Sequence, residues 1–231
     1  VACLTPTTNP TTTAVGNCMC AVKSRNAVII SPHPRAKKVT MHAVALMSEA
    51  IKELGGPENL IQSIENPTLD LTNELMKKAD VIVATGGSAM VKSAYSSGRP
   101  SYGVGPGNAQ VIVDASFEDY PLMVAQIMTS RVYDNGMPCT GEQTLIIPEE
   151  KSDEIVNAFE EKGAYLITEP ADIQNLRKAI FPKGFEGPIN VDIVGKPAEE
   201  VAKYANIRVP DGTKLLMVKL DKHAREEVLS R

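Results

Sequence analysis

Through the first half of this 231-residue chain, short apolar runs rich in Val, Ile and Ala alternate with segments whose apolar residues recur at helical spacing. That alternation constrains the fold more than any other feature, because a strand, helix, strand order leads to a parallel sheet with right-handed crossovers. Strands are predicted at Val1 to Leu4, Ala27 to Ile30, Leu60 to Ile64, Val81 to Ala84 and Gln110 to Val113. Each is short and apolar, as a strand buried on both faces requires. The clearest helix runs from Pro34 to Leu54, with Val39, Ala43, Leu46, Met47, Ala50, Ile51 and Leu54 on one stripe and Gly55-Gly56-Pro57 as its stop. Sheets of this kind bind ligands beyond the carboxyl ends of their strands. Nucleotide binding is therefore the expected use of the first half.

The second half continues with different spacing. Helices are predicted over Phe117 to Arg131, Ser152 to Glu161, Ala171 to Ile180 and Ala198 to Ala205, and strands over Thr144 to Ile147, Ala164 to Ile167, Val191 to Val194 and Lys214 to Lys219. The glycine-rich stretch Tyr102 to Asn108 is read as a hinge, giving expected domains of residues 1–107 and 108–231.

Composition narrows the function. With 24 Lys and Arg against 28 Asp and Glu, the net charge is −4, and no block of like charge resembles a nucleic-acid-binding arm. No apolar run is long enough to span a membrane. Four cysteines, none in a Cys-x-x-Cys pair, point to free thiols in a reducing, cytoplasmic compartment. Cys18 and Cys20 fall on different faces of their predicted helix, and three histidines are too few for a zinc centre, so no metal is expected. Val1 lacks an initiator Met or basic leader and reads as a strand entered in mid-protein, so the chain is expected to be an internal part of a longer enzyme.

Chemistry is sought first at Cys139, in Asp134-Asn135-Gly136-Met137-Pro138-Cys139-Thr140-Gly141-Glu142-Gln143, between a predicted helix and a predicted strand. A loop of small residues leaves sulfur and backbone N–H groups reachable, although a single cysteine taken alone is more commonly a small buried hydrophobe. Thr85-Gly86-Gly87-Ser88 follows a strand and opens a helix, either to present free N–H groups to an anion or as an ordinary tight turn. Ser31-Pro32-His33-Pro34 opens the longest helix, with Arg35, Lys37 and Lys38 crowding a helix start where cations oppose the dipole. A bound phosphate would relieve that conflict; a solvated basic turn would also account for it. Gly103-Val104-Gly105-Pro106-Gly107-Asn108 is not a dinucleotide fingerprint, because its glycine spacing is wrong and it leads into a strand. A hinge or a close backbone approach to ligand fits it better. Asn9 can cap the helix that begins near Thr11 or offer its amide N–H to an oxyanion.

Taken together, Pro6-Thr7-Thr8-Asn9-Pro10, Arg25-Asn26, Ser31-Pro32-His33-Pro34 with Ala36-Lys37-Lys38, Ala84-Thr85-Gly86-Gly87, Ala94 to Pro100, Gly103 to Asn108 and Asp134 to Gln143 carry a resemblance. The chain resembles the aldehyde dehydrogenase superfamily, and within it the CoA-acylating branch: acetaldehyde, propionaldehyde and succinate-semialdehyde dehydrogenases, and the aldehyde domain of bifunctional aldehyde-alcohol dehydrogenases. Asp192-Ile193-Val194-Gly195-Lys196 is compatible but less specific.

The resemblance implies an α/β fold, with a Rossmann-like parallel-sheet cofactor domain in residues 1–107 followed by an α/β catalytic domain in residues 108–231, the first incomplete at its N-terminus and the second at its C-terminus. It implies Cys139 as nucleophile and Asn9 as oxyanion donor beside the Cys139 backbone N–H, although an ungapped match to hydrolytic relatives places Thr8 at their Asn. It places Thr8, Ser31, Pro32, His33, Pro34, Thr85, Gly86, Gly87, Gly103 and Gly105 around NAD or NADP, with CoA as co-substrate. The expected partners are a short-chain aldehyde or acyl-CoA and further copies of the chain, in the cytoplasm or a bacterial microcompartment. Where hydrolytic members carry a Glu general base, this chain resembles the acylating pattern with Gly103. Water, with a pKa of about 15.7, needs such a base to attack a thioester; a thiol needs it far less. Two other readings stay open: a non-catalytic nucleotide-binding fragment, and a hydrolytic aldehyde dehydrogenase, against which Gly103 weighs.

Overall fold

The computed structural model describes residues 1–230 and divides into two compact units, Val1–Pro106 and Gly107–Arg231. The first unit alternates β1 (Ala2–Thr5), α1 (Pro10–Lys23), β2 (Val28–Pro32), α2 (Lys37–Glu53), β3 (Ile61–Ser63), α3 (Leu69–Lys78), β4 (Ile82–Thr85), α4 (Ser88–Tyr95) and β5 (Ser101–Val104). Its five strands form one sheet in the order β3-β2-β1-β4-β5, every neighbour parallel. The register pairs Cys3 with Ile30 on one side and with Val83 on the other.

Alternation along a strand sends successive side chains to opposite faces, and β1 feeds two cores accordingly. Cys3 joins Ala14, Cys18, Val28, Ile30, Val44 and Ile61 beneath α1 and α2. Ala2 and Leu4 join Met76, Ile82, Ala84 and Ala94 beneath α3 and α4. Local signals set the helix limits: Thr68 caps α3 by accepting from the Leu71 N–H at 3.2 Å, and Gly55 takes φ +75 just beyond α2.

The second unit contains two separate parallel ladders. β6 (Ala109–Ile112) pairs with β7 (Glu142–Ile146) across the helix α5 (Tyr120–Val132), and β8 (Ala164–Ile167) pairs with β9 (Leu215–Val218). The remaining helices are α6 (Ser152–Glu161), α7 (Pro170–Ile180) and α8 (Ala198–Tyr204). Tyr120, Val124, Ile127, Ile155 and Phe159 form one core, and Ile167, Leu176, Ala179, Ala202 and Ile207 form another.

Three expectations need correction. Val191 to Val194 is a turn rather than a strand: the Asn190 Oδ1 accepts from the Asp192 N–H at 3.1 Å, and Gly195 follows at φ +76. Turn chemistry from the asparagine overrides the apolar run. Within the expected hinge, Tyr102 to Val104 belongs to β5 and pairs with Val83 to Thr85. The helix expected from Phe117 begins at Tyr120, where Asp119 accepts from the Leu122 N–H and Pro121 occupies the first turn.

Candidate active site

In the first unit, the strand order reverses between β1 and β4, and the loops leaving their carboxyl ends diverge to α1 on one face and α4 on the other. Such a switch point is where open parallel sheets admit ligands. Thr8, Asn9, Ser31 to Pro34, Thr85 to Gly87, Gly103 and Gly105 are all drawn to this carboxyl edge. Their chemistry differs. The Ser31 hydroxyl is buried against the Thr72 hydroxyl at 2.7 Å, and Pro32 is fully buried, so these two shape the loop from inside. His33 is exposed, and its Nδ1 accepts from the Arg35 N–H at 3.2 Å. Partial shielding of the ring from water, and secondarily the Arg35 charge, lower its pKa. Lys37 donates to the Asn66 side chain at 2.8 Å, so one cation of the basic cluster is already engaged.

Asn9 stands at the N-cap position of α1 but makes no capping bond; its Oδ1 accepts from the Thr8 hydroxyl at 3.0 Å. Its amide N–H groups have no protein acceptor among the described residues. Gly87 precedes α4 with no side-chain cap, and a Cβ placed on it would meet nothing within 4 Å. Gly103 is different: a Cβ there would meet Val91 at 2.5 Å and Tyr95 at 2.7 Å, and its N–H donates to the Tyr95 hydroxyl at 3.0 Å. Packing against α4 alone accounts for glycine at 103 and leaves no room for a longer side chain.

Two buried hydroxyls at this edge, Thr5 Oγ1 and Ser63 Oγ, lack a hydrogen-bond partner among the described residues. Buried polar atoms are normally satisfied. Unpaired hydroxyls at the ends of β1 and β3, with open space over Gly87, fit an extended polar ligand such as a dinucleotide.

In the second unit, Cys139 is exposed in the loop between α5 and β7, beside the amino ends of β6 and β7. The loop enters through three successive residues in the left-handed region, Asp134 (φ 49), Asn135 (φ 51) and Gly136 (φ 73). That conformation costs about 1–2 kcal/mol per L-residue and is tolerated best by Asp, Asn and Gly. Contacts hold it. Asn135 donates to the Gly195 carbonyl at 2.9 Å, and Met137 Sδ would lie 3.0 Å from a Cβ at Gly195. A Cβ on Gly107 would run into the Cys139 carbonyl oxygen and come within 3.4 Å of the Cys139 Cβ, while Gln143 donates to the Gly107 carbonyl at 3.2 Å. The N–H groups of Cys139 and Thr140 have no protein acceptor among the described residues, in contrast to Met137 and Gly141, which donate to Asp134 and Pro138. An exposed sulfur beside free backbone donors can attack a carbonyl and hold the oxygen that becomes negative.

The other thiols differ. Cys3 and Cys18 are buried, and burial pushes their pKa values up to about 12 and about 11. Cys20 is exposed on α1. Among the described residues, no group of three or more His, Cys, Asp or Glu could hold a metal ion, and no helix is long and apolar enough to cross a membrane.

The model of the aldehyde dehydrogenase family matches residues 1–180. The chain belongs to the aldehyde dehydrogenase family. This aldehyde dehydrogenase chain is 46% identical over 231 residues to the acetylating succinate-semialdehyde dehydrogenase of Clostridium kluyveri, covering 100% of the chain and 50% of that relative. It superimposes on an acetylating aldehyde dehydrogenase from Geobacillus thermoglucosidasius with a TM-score of 0.92 and 40% identity, over 99% of this chain and 50% of that one. A propionaldehyde dehydrogenase of Rhodopseudomonas palustris, solved with bound CoA and an acylated cysteine, gives 0.87 and 32% identity over 99% of this chain and 51% of that one. The chain thus spans about half the length of these relatives.

Sequence reasoning missed the residues that hold the Cys139 loop from outside it. Gly107 and Gly195 read only as parts of glycine-containing motifs. A glycine beside a strand signals a close backbone approach; which backbone approaches needs the fold.

Proposed function

We propose that this aldehyde dehydrogenase acts in the CoA-acylating direction and its reverse, carrying the acyl group as a thioester on Cys139. The supporting observation is the exposed Cys139 beside unpaired N–H groups of residues 139 and 140. The acylated cysteine of the Rhodopseudomonas relative is in keeping with it. The Cys139 thiolate adds to an aldehyde carbon, and the carbonyl oxygen becomes an oxyanion. The Cys139 and Thr140 N–H groups are the proposed donors to that oxygen, since neither has another acceptor.

Thr8, His33, Pro34, Thr85, Gly86 and Gly87 would hold a nicotinamide cofactor, with the Ser31, Pro32, Gly103 and Gly105 backbone shaping the edge, and that group would accept the hydride whose loss turns the Cys139 adduct into a thioester. CoA thiolate then attacks the acyl carbon and Cys139 leaves as thiolate, an exchange between sulfurs of similar basicity. Gly103 supports transfer to CoA over hydrolysis: the space beyond its Cα is filled by Val91 and Tyr95, so no carboxylate base acts from this position.

The test is incubation with acetaldehyde or propionaldehyde and NAD or NADP, with and without CoA. CoA-dependent reduction of the cofactor supports the proposal. Cofactor reduction with free acid and no CoA makes the chain hydrolytic, and silence with retained cofactor binding makes it a nucleotide-binding unit only.

A further inference from the structure

Arg131, one residue before the end of α5, is half-buried. A Cβ on Gly136 would meet its Cζ at 3.2 Å and its Nη1 at 3.3 Å, and a Cβ on Gly141 would meet Nη1 at 3.4 Å. The guanidinium therefore fills the space between two glycines that bracket Cys139. Its Nη1 donates to the Gly136 carbonyl at 3.4 Å. Burial lowers the Arg131 pKa, the charge of Glu142 acts in the opposite sense, and one Glu142 oxygen is buried without a hydrogen-bond partner. Glu142, the residue that opens β7, lies close enough for its charge to act on the guanidinium without forming an ion pair with it. Arg131 thus backs the strained turn Asp134 to Gly136 at one end of the loop and Gly141 at the other.

We propose that Arg131 is a positioning residue for Cys139: its guanidinium holds residues 134–141 in the left-handed turn that leaves the Cys139 and Thr140 N–H groups free for the acyl oxyanion. The inference rests on the reading of Cys139 as the acyl carrier. It concerns the orientation of the backbone donors and leaves the sulfur itself as it is. Removing the guanidinium lets the turn relax to right-handed backbone and takes the donors away from the acyl oxygen, while the sulfur stays exposed.

Two reactions of the same sulfur separate these effects. With propionyl-CoA, Cys139 forms an S–acyl bond, the carbonyl oxygen carries negative charge in the transition state, and CoA leaves as thiolate. With iodoacetamide, Cys139 forms an S–alkyl bond, iodide leaves, and no oxyanion develops. In the full chain, Arg131→Met is expected to slow acyl loading at saturating propionyl-CoA about 100-fold, the usual cost of losing one oxyanion donor, with the half-saturating concentration unmoved. Alkylation of Cys139 should stay within about twofold of wild type, since no oxyanion donor takes part in it. Arg131→Lys keeps the cation without the planar fork and should restore part of the loading rate. A circular dichroism spectrum and thermal melt matching wild type show that each variant is folded, since Cys3 and Cys18 report only on residues 1–106.

Wild-type loading in Arg131→Met overturns the proposal. So does a parallel fall in loading, affinity and alkylation, which would make Arg131 merely structural, or a failure of Arg131→Lys to recover any loading in a folded protein. A wild-type chain that takes no acyl group at all defeats the Cys139 reading instead, and the two failures are told apart by which protein shows them.

Discussion

Residues 1–106 place their candidate binding loops at the carboxyl edge of one five-stranded sheet, whereas residues 107–231 carry Cys139 beside the amino ends of a two-stranded ladder. The first arrangement is a property of parallel sheets in general: strand ends and helix starts meet wherever the strand order reverses. The second depends on particular side chains and glycines, since nothing in a two-stranded ladder requires a loop at its amino end to hold three left-handed residues. A binding edge can thus follow from topology alone. A nucleophile has to be braced residue by residue.

The largest expected effect bears on that contrast directly. Cys139→Ala should abolish acyl loading from acyl-CoA completely, measured by intact mass, while leaving the NAD or NADP binding proposed for the first unit, measured by calorimetry, unchanged. Persistence of the adduct would move the chemistry elsewhere.

Next in size is the difference between the buried thiols of the first unit and the exposed thiols Cys20 and Cys139. With a pKa raised to about 11, about two units above an unburied thiol, Cys18 carries about 100-fold less thiolate at neutral pH, and Cys3, raised to about 12, carries less still. Timed iodoacetamide labelling with peptide mapping should modify Cys139 and Cys20 early and leave Cys3 and Cys18 until the protein unfolds.

The same glycine change then gives different outcomes on the two sides. Gly107→Ala presses on the Cys139 carbonyl and should slow acyl loading about 100-fold, as a misplacement of about 1 Å does. Gly103→Ala presses on Val91 and Tyr95 and should lower unfolding stability by about 1–3 kcal/mol, an overpacking cost, with alkylation of Cys139 unchanged.

The smallest effect is on acid stability. Glu227 is held below the usual carboxylate range, first by hydrogen bonds from Arg177 and then by backbone N–H groups including Leu229, with burial opposing. A depressed pKa stabilises the fold above the ordinary Glu value of about 4.3 and loses that contribution as pH falls through the lower folded value. Asp114, accepting from Ser116, is lowered in the same direction. Both groups lie in residues 107–231, so thermal melts between neutral and acid pH should weaken that unit, and Arg177→Met should flatten the dependence.

The strands of the first unit were legible because burial on both faces leaves a continuous apolar run, as in Val28 to Ile30. β5 was not: Ser101-Tyr102-Gly103-Val104 lies at the sheet edge with Tyr102 and Val104 exposed, so its composition resembles a loop. Val191 to Val194 misled in the opposite sense, because an Asx turn from Asn190 folds an apolar segment whose Val191 and Val194 remain exposed. At the candidate site, Cys139 and the strand-end loops stood out by residue type and position. Ser31 and Pro32 looked equivalent to His33 until burial separated them. Gly107, Arg131 and Gly195 gave no chemical signal, because what they do is fill or vacate space next to residues far away in sequence.

All of the proposed chemistry runs through one sulfur holding an acyl group. Wild-type protein exposed to propionyl-CoA, digested and mapped by mass should carry a single propionyl adduct on the peptide containing Cys139, removed when free CoA is added. No adduct, or an adduct on Cys20 with Cys139 unmodified, would contradict it.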